Sequence, residues 1–137
     1  LNATPSNLSV TASTATGTIS ATGYQWYNNT TNSTSGASII AAANTNTYTP
    51  PTNVAGNKYY FAVITNSFNC TTTTIVSGAI NVNPLPTISN QPSQNIQTKC
   101  LNETFTALSV TATAGSGSIS KYEWYSNTNN AANTSAL

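Results

Sequence analysis

Charge is what this chain most lacks. Only five of its 137 residues are ionic, Lys58, Lys99, Lys121, Glu103 and Glu123, and it has no Asp, His, Arg or Met. Without His or Asp, neither a Ser-His-Asp triad nor a carboxylate pair with its ordinary partners can be assembled. Calcium needs clustered oxygen anions, and zinc needs more than two distant cysteines. The sequence therefore points away from an enzyme and implies no cofactor and no metal. A net charge of +1 offers no electrostatic footprint for nucleic acid or an anionic membrane. No apolar run approaches the roughly 20 residues needed to span a bilayer, so membrane insertion is not expected. A basic segment followed by an apolar one does not open the chain, so a signal peptide is absent or already removed. Leu1, with no preceding Met, and Leu137 both read as cuts.

What fills the space is polar but uncharged. Thr, Asn and Ser supply nearly half of the residues, so hydroxyls and amides, not ions, keep the surface hydrated. Tyr, Trp, Val and Ile in short runs count against disorder. Thr and Val favour strands, while Asn, Gly and Pro favour turns. The expected class is all-β.

Both tryptophans sit in one four-residue frame: Tyr24-Gln25-Trp26-Tyr27 returns as Tyr122-Glu123-Trp124-Tyr125. Asn7-Leu8-Ser9-Val10-Thr11-Ala12 likewise returns as Ala107-Leu108-Ser109-Val110-Thr111-Ala112. The second match has an offset of 100 (108 − 8) and the first one of 98 (124 − 26), so the second copy lost two residues in the Gly/Ser turn between them. One repeat of about a hundred residues is the size of an immunoglobulin-like sandwich. The reading is tandem immunoglobulin-like β-sandwich repeats, the second truncated. Residues 1–83 form one domain whose first strand is missing or upstream. Residues 84–137 form the N-terminal half of another, strands A to C/C′. Asn83-Pro84-Leu85-Pro86 is a short, stiff hinge, because two prolines restrict the backbone and donate no ladder bonds.

Leu8, Val10 and Ala12 alternate with Ser9 and Thr11, as a strand with one buried face does. This is strand B, and Leu108 and Val110 are its core residues in the second repeat. Tyr24 and Trp26 share one face of strand C. A buried Trp there is a hallmark of the immunoglobulin sandwich, so Trp26 and Trp124 are expected as core plugs, one per domain. Residues 28–36 read as a polar loop, Ala37-Ser38-Ile39-Ile40 as a short C′-type strand, and Thr47-Tyr48-Thr49 as strand E halted by Pro50-Pro51. Strand F runs from Lys58 to Asn66 after a turn at Ala55-Gly56-Asn57. Tyr59 and Tyr60 both qualify as a tyrosine corner. Strand G is Ala79-Ile80-Asn81-Val82, with Ile80 and Val82 inward. The second repeat opens at Thr87-Ile88-Ser89. Tyr27 and Tyr125 then face away from the core. They are candidates for a surface contact that stacks on sugars, or for cross-strand packing within the outer face.

Repeat register also bears on the two cysteines. Cys100 precedes Leu108 by eight positions, which puts its counterpart just before Leu1. The counterpart of Cys70, late in the first repeat, falls beyond Leu137. One disulfide per repeat follows, from the start of strand B to the end of strand F, with the partners of Cys70 and Cys100 outside the segment. The rivals are a Cys70–Cys100 bridge, which loop closure permits but repeat register argues against, and two free buried thiols, which a chain with so few cysteines disfavours. Either disulfide arrangement indicates an oxidising, extracellular setting.

Some signals mislead. Glu103 and Glu123 share a half-domain, but the first repeat has Pro5 or Ser6 near the first position and Gln25 at the second, so they read as exposed charges. N-x-S/T sequons occur at Asn2, Asn7, Asn28, Asn29, Asn32, Asn69, Asn102 and Asn133, as chance makes them in an Asn- and Thr-rich chain. The run Thr71 to Thr74 reads as a solvated loop-to-strand segment.

As an ordered set, LSVTAS, GYQWY, TYTPP, AGNKYYFAVITNSFNC and GAINVNPLPTI resemble the Ig-like repeats of giant surface proteins of Bacteroidetes, including flavobacterial gliding-motility adhesins. The resemblance implies type IX secretion, an extracellular, cell-surface location, and strings of sandwiches acting as filament, stalk or adhesin. The expected function is a structural and adhesive repeat module whose partners are neighbouring repeats of the same chain or filament, and surface polysaccharide. The half-domain is then truncated, or completed by strands from a neighbouring subunit. The alternative is a carbohydrate-binding or spacer region of a secreted multidomain enzyme.

Overall fold

A computed structural model describes residues 6–128. Leu1, Pro5, Leu137 and the sequons at Asn2 and Asn133 lie outside the described residues. The described residues are all-β: antiparallel sheets and no helix. Two compact units divide the chain, Leu1–Pro84 and Leu85–Leu137.

The first unit has seven strands: β1 (Leu8–Ser9), β2 (Tyr24–Asn29), β3 (Ser38–Ile39), β4 (Thr47–Tyr48), β5 (Gly56–Thr65), β6 (Thr71–Thr73) and β7 (Ile80–Val82). β1 pairs with β4, Leu8 opposite Tyr48. The larger sheet has the order β3-β2-β5-β6, with β7 also pairing with β5. Two antiparallel sheets around one core are consistent with a β-sandwich.

Register decides what is buried. Directly opposite residues of antiparallel strands share a face, and β2 meets β5 with Tyr24 opposite Ile64, Trp26 opposite Ala62 and Asn28 opposite Tyr60. The core is Trp26, Tyr60, Ala62 and Ile64, packed around by Leu8, Val10, Ala12, Ile19, Tyr24, Tyr48 and Ile80 among others. On the opposite face Tyr27 lies over Phe61 with ring centroids 5.1 Å apart and planes within 5°. Phe61 is itself buried, so β5 is covered on both sides.

Trp26 also ties the two sheets together through the chain between β3 and β4. Its amide donates to the carbonyl of Ala43 and its carbonyl accepts from the Ile40 amide. Its indole Nε1–H donates to the carbonyl of Thr45 at 2.8 Å, and its ring stacks on Tyr48. Gln25 Nε2 reinforces this junction by donating to the Trp26 and Ile40 carbonyls. Asn29, buried at the end of β2, organises the following loop. Its amide nitrogen donates to the Ser33 and Ser35 carbonyls, and its Oδ1 accepts from the Thr30 and Thr31 amides.

The strand expected only at residues 79–82 extends further. β6 and β7 are two ends of one passage along β5, and residues between them keep hold of it with hydroxyls. The Ala62 amide donates to Thr74 Oγ1 and the Tyr60 amide to Ser77 Oγ. The Thr74 and Ser77 amides donate back to the Ala62 and Tyr60 carbonyls. Of the threonine run, expected as a solvated loop-to-strand segment, Thr71–Thr73 form an exposed edge strand.

In the second unit β8 (Thr87–Asn90) pairs with β9 (Thr111–Thr113), Ile88 opposite Ala112, with a bulge between Ile88 and Asn90. Turns here are locally sealed. Gln97 and Thr106 exchange two hydrogen bonds, and the Glu103 carboxylate accepts from the Cys100 amide.

Several expectations fail in this unit. Only the end of the run from Leu108 to Ala112 joins a strand, and Tyr122–Tyr125 form none. Trp124 is 56% exposed and Leu108 50% exposed, so neither is a core plug; Val110 is half-buried. The cause is the ladder: a strand needs a partner, and among the described residues nothing stands to Tyr122–Tyr125 as β5 stands to β2. All the buried hydrophobic residues among those described belong to the first unit.

The bends of the two units do correspond. Gly17 and Gly117 lie 100 positions apart (117 − 17) and have φ of 79° and 67°, a left-handed conformation that glycine adopts without strain. The first unit then makes a turn at Ala21–Thr22, closed by the Gly23 amide on the Ser20 carbonyl. The second passes from Ser120 to Lys121 and Tyr122 without one. The two missing residues therefore fall after the Gly/Ser bend.

Candidate functional site

Both glutamates make local contacts. Glu103 closes the Cys100–Glu103 turn, accepting the Cys100 amide at 3.1 Å while its own amide donates to the Cys100 carbonyl. Glu123 takes Lys121 at 2.8 Å in an exposed ion pair. Among the described residues no three His, Cys, Asp or Glu side chains cluster as a metal site would require.

Both thiols are free and exposed, so neither the Cys70–Cys100 bridge nor any other disulfide is present among the described residues. Cys70 stands past the end of β5, in a turn folded on Asn66. The Asn66 Oδ1 accepts the Phe68 and Cys70 amides, and the Asn66 amide donates to the Cys70 carbonyl. Cys70 lines a small surface hollow together with Ile19 and Ile64.

The surface tyrosines differ. Tyr27 is half-buried against Phe61, the arrangement of cross-strand packing. Tyr125 is 70% exposed, with its hydroxyl 3.5 Å from the Glu123 carboxylate. Of the two tyrosines left open as a corner, Tyr60 is the core residue; its amide is held by Ser77 and its ring tilts against Tyr48 at 5.5 Å. Burial pushes the Tyr48 and Tyr60 hydroxyls above their ordinary value, and for Tyr60 the neighbouring Tyr48 adds to the rise. These two rings also wall a hollow of about 240 Å³ at one end of the first unit, with Asn28, Asn53 and Lys58 at its rim. Sequence alternation missed the hollow because its walls come from residues on four different segments.

The larger concavity is a groove of about 400 Å³ in the second unit. Ile88, Val110, Ala112, Ile119, Tyr122 and Trp124 line it. β8 and β9 supply its floor through the Ile88–Ala112 pair, and the extended run after Ser120 supplies one wall. The Lys121–Glu123 pair sits beside it. Most of the groove's lining is apolar, with Gln91 and the Lys121–Glu123 pair as its polar members. No family model, curated protein or solved structure matches the chain.

Proposed function

We propose that this chain is a structural and adhesive extracellular module, built from tandem immunoglobulin-like sandwiches and working at a cell surface without catalysis. The observation that carries the reading is the return of one module frame at a spacing of about 100 residues. The strand B and Trp frames recur in sequence, and the same left-handed glycine bend recurs at Gly17 and Gly117. A folded module repeated along a chain is the architecture of a spacer or stalk. Its surface, almost free of ions, gives little drive for nonspecific ionic sticking.

The proposal includes the likeness to Ig-like repeats of Bacteroidetes surface proteins, with neighbouring repeats and surface polysaccharide as partners. It also keeps the outside pairing of Cys70 and Cys100 in an oxidising compartment, to which their exposure leaves them accessible. The Tyr27–Phe61 stack supports a load-bearing outer face over a sugar-stacking platform.

Antibodies raised against the chain should label intact source cells, and external protease should remove the signal. Labelling only after permeabilisation would overturn the surface assignment. Saturable binding to a glycan array that is lost in Tyr27→Ala would favour the carbohydrate-binding alternative.

A further inference from the structure

We propose that a polar hollow in the first unit, between the chain entering β2 and the turn leaving β5, is a saccharide-binding site. It takes a neutral sugar ring, with the exposed Phe68 beside it as the stacking surface. The inference rests on the adhesive reading for its polysaccharide partner, and it moves the contact away from Tyr27 and Tyr125.

The lining selects the ligand. The hollow measures about 280 Å³, and Thr18, Ser20, Thr22, Thr65 and Ser67 contribute to its walls. Two asparagines, Asn66 and Asn69, join them. No wall residue is charged, and Lys58, the one ionic residue of the first unit, is not among them. An anion would therefore meet no cation here, and a cation no carboxylate. An apolar ligand would desolvate the hydroxyls without replacing their hydrogen bonds. Hydroxyls both donate and accept, whereas an amide offers each function at a separate atom. Asn66 Oδ1 is already committed to the Phe68 and Cys70 amides, which leaves its NH₂ as the donor on offer. Such a mixture suits the adjacent hydroxyls of a sugar.

The frame is set before any ligand arrives. The Thr65 amide donates to the Gly23 carbonyl at 2.8 Å, and the Ser67 amide to the Thr18 carbonyl at 2.9 Å. The Thr18 amide returns a bond to Ser67 Oγ. Gly23 allows the two segments to close, because a β-carbon there would stand 2.8 Å from the Thr65 carbonyl oxygen. A preorganised site loses less freedom on binding. Phe68 completes the arrangement. It follows Ser67 in the chain and rests against Gly17, which precedes Thr18; a β-carbon on Gly17 would lie 2.7 Å from the Phe68 ring. The ring is thus held in place although 66% of the residue remains exposed. An aromatic surface with a few convergent polar groups is the make-up of a small-ligand site.

The ¹⁵N-labelled chain supplies the test. It is titrated with glucose, galactose, mannose and xylose, each as the free sugar and as a linear oligomer. With at least one of them, the Thr18, Thr22 and Ser67 amides should shift saturably while the Tyr27 amide stays in place. Response to an oligomer at lower concentration than to its free sugar assigns a polymer as the source, and equal responses assign the free sugar. Phe68→Ala should weaken binding at least about tenfold, and Asn69→Gly, which keeps the left-handed turn, should weaken it too. An unchanged Trp26 indole resonance reports that each variant stays folded. An oligomer of galacturonate is the charged control and should bind no more tightly than its neutral counterpart. No shift with any sugar, undiminished binding in Phe68→Ala, or tighter binding of the galacturonate oligomer would overturn the proposal. Shifts centred on Tyr27 would also overturn this site, yet leave the adhesive reading standing. Binding here by a chain that fails to label intact cells would do the reverse.

Discussion

The indole of Trp26 donates to the carbonyl of Thr45, 2.8 Å away, across the gap between the two sheets of the first unit. One side chain therefore fills the core and also holds the chain that leads from β3 to β4. Trp26→Ala should destabilise the first unit by about 3–5 kcal/mol through the lost volume. Trp26→Phe keeps most of the apolar contact but leaves the Thr45 carbonyl without its donor, costing about 1–3 kcal/mol. Trp124→Ala should change stability by less than about 1 kcal/mol, because an exposed side chain has little packing to lose. Urea unfolding followed by far-ultraviolet circular dichroism distinguishes the three. Equal losses for Trp26→Ala and Trp124→Ala would contradict the assignment.

Alkaline titration probes the same core. Burial holds the Tyr48 and Tyr60 hydroxyls above the ordinary tyrosine value of about 10. The folded state thus keeps their protons more tightly than the unfolded state. Their stabilising contribution is complete below about pH 10 and is lost as pH rises through the raised folded values. The urea midpoint of the first unit should fall above about pH 10, and Tyr48→Phe should make that fall shallower. A midpoint that rises with pH there would reverse the sign.

Sequence alternation located the strands of the first unit well, because each sits against a partner that the same repeat contains. Leu8, Tyr24, Tyr48, Tyr60 and Ile80 all mark elements that are present. It could not choose between Tyr59 and Tyr60, since the choice rests on the register that sets Tyr60 opposite Asn28. The hydroxyls of Thr74 and Ser77 standing in for ladder acceptors were also illegible. Their composition is that of a loop, and only the nearby β5 amides give them a structural role. In the second unit, Leu108 and Trp124 have the pattern of buried residues but find no covering strand among the described residues. Pattern records which face an element would bury; burial itself depends on a partner. The groove was hidden for the same reason: its lining reads as core.

Cysteine chemistry gives an independent check. Since Cys70 and Cys100 are both free and exposed, the native chain in isolation should take up two equivalents of a thiol alkylating reagent without reductant. Intact-mass analysis counts them. A chain 2 Da lighter that resists alkylation would contain the Cys70–Cys100 bridge instead.

Hydrogen exchange at the two indole nitrogens tests most directly the claim that one repeat is closed around its tryptophan while its counterpart is open. On transfer to D₂O, the Trp26 indole proton, buried and bonded to Thr45, should persist after the Trp124 indole proton, on a ring 56% exposed, has vanished. Simultaneous loss of both signals, or lasting protection of Trp124 in the isolated chain, would contradict it.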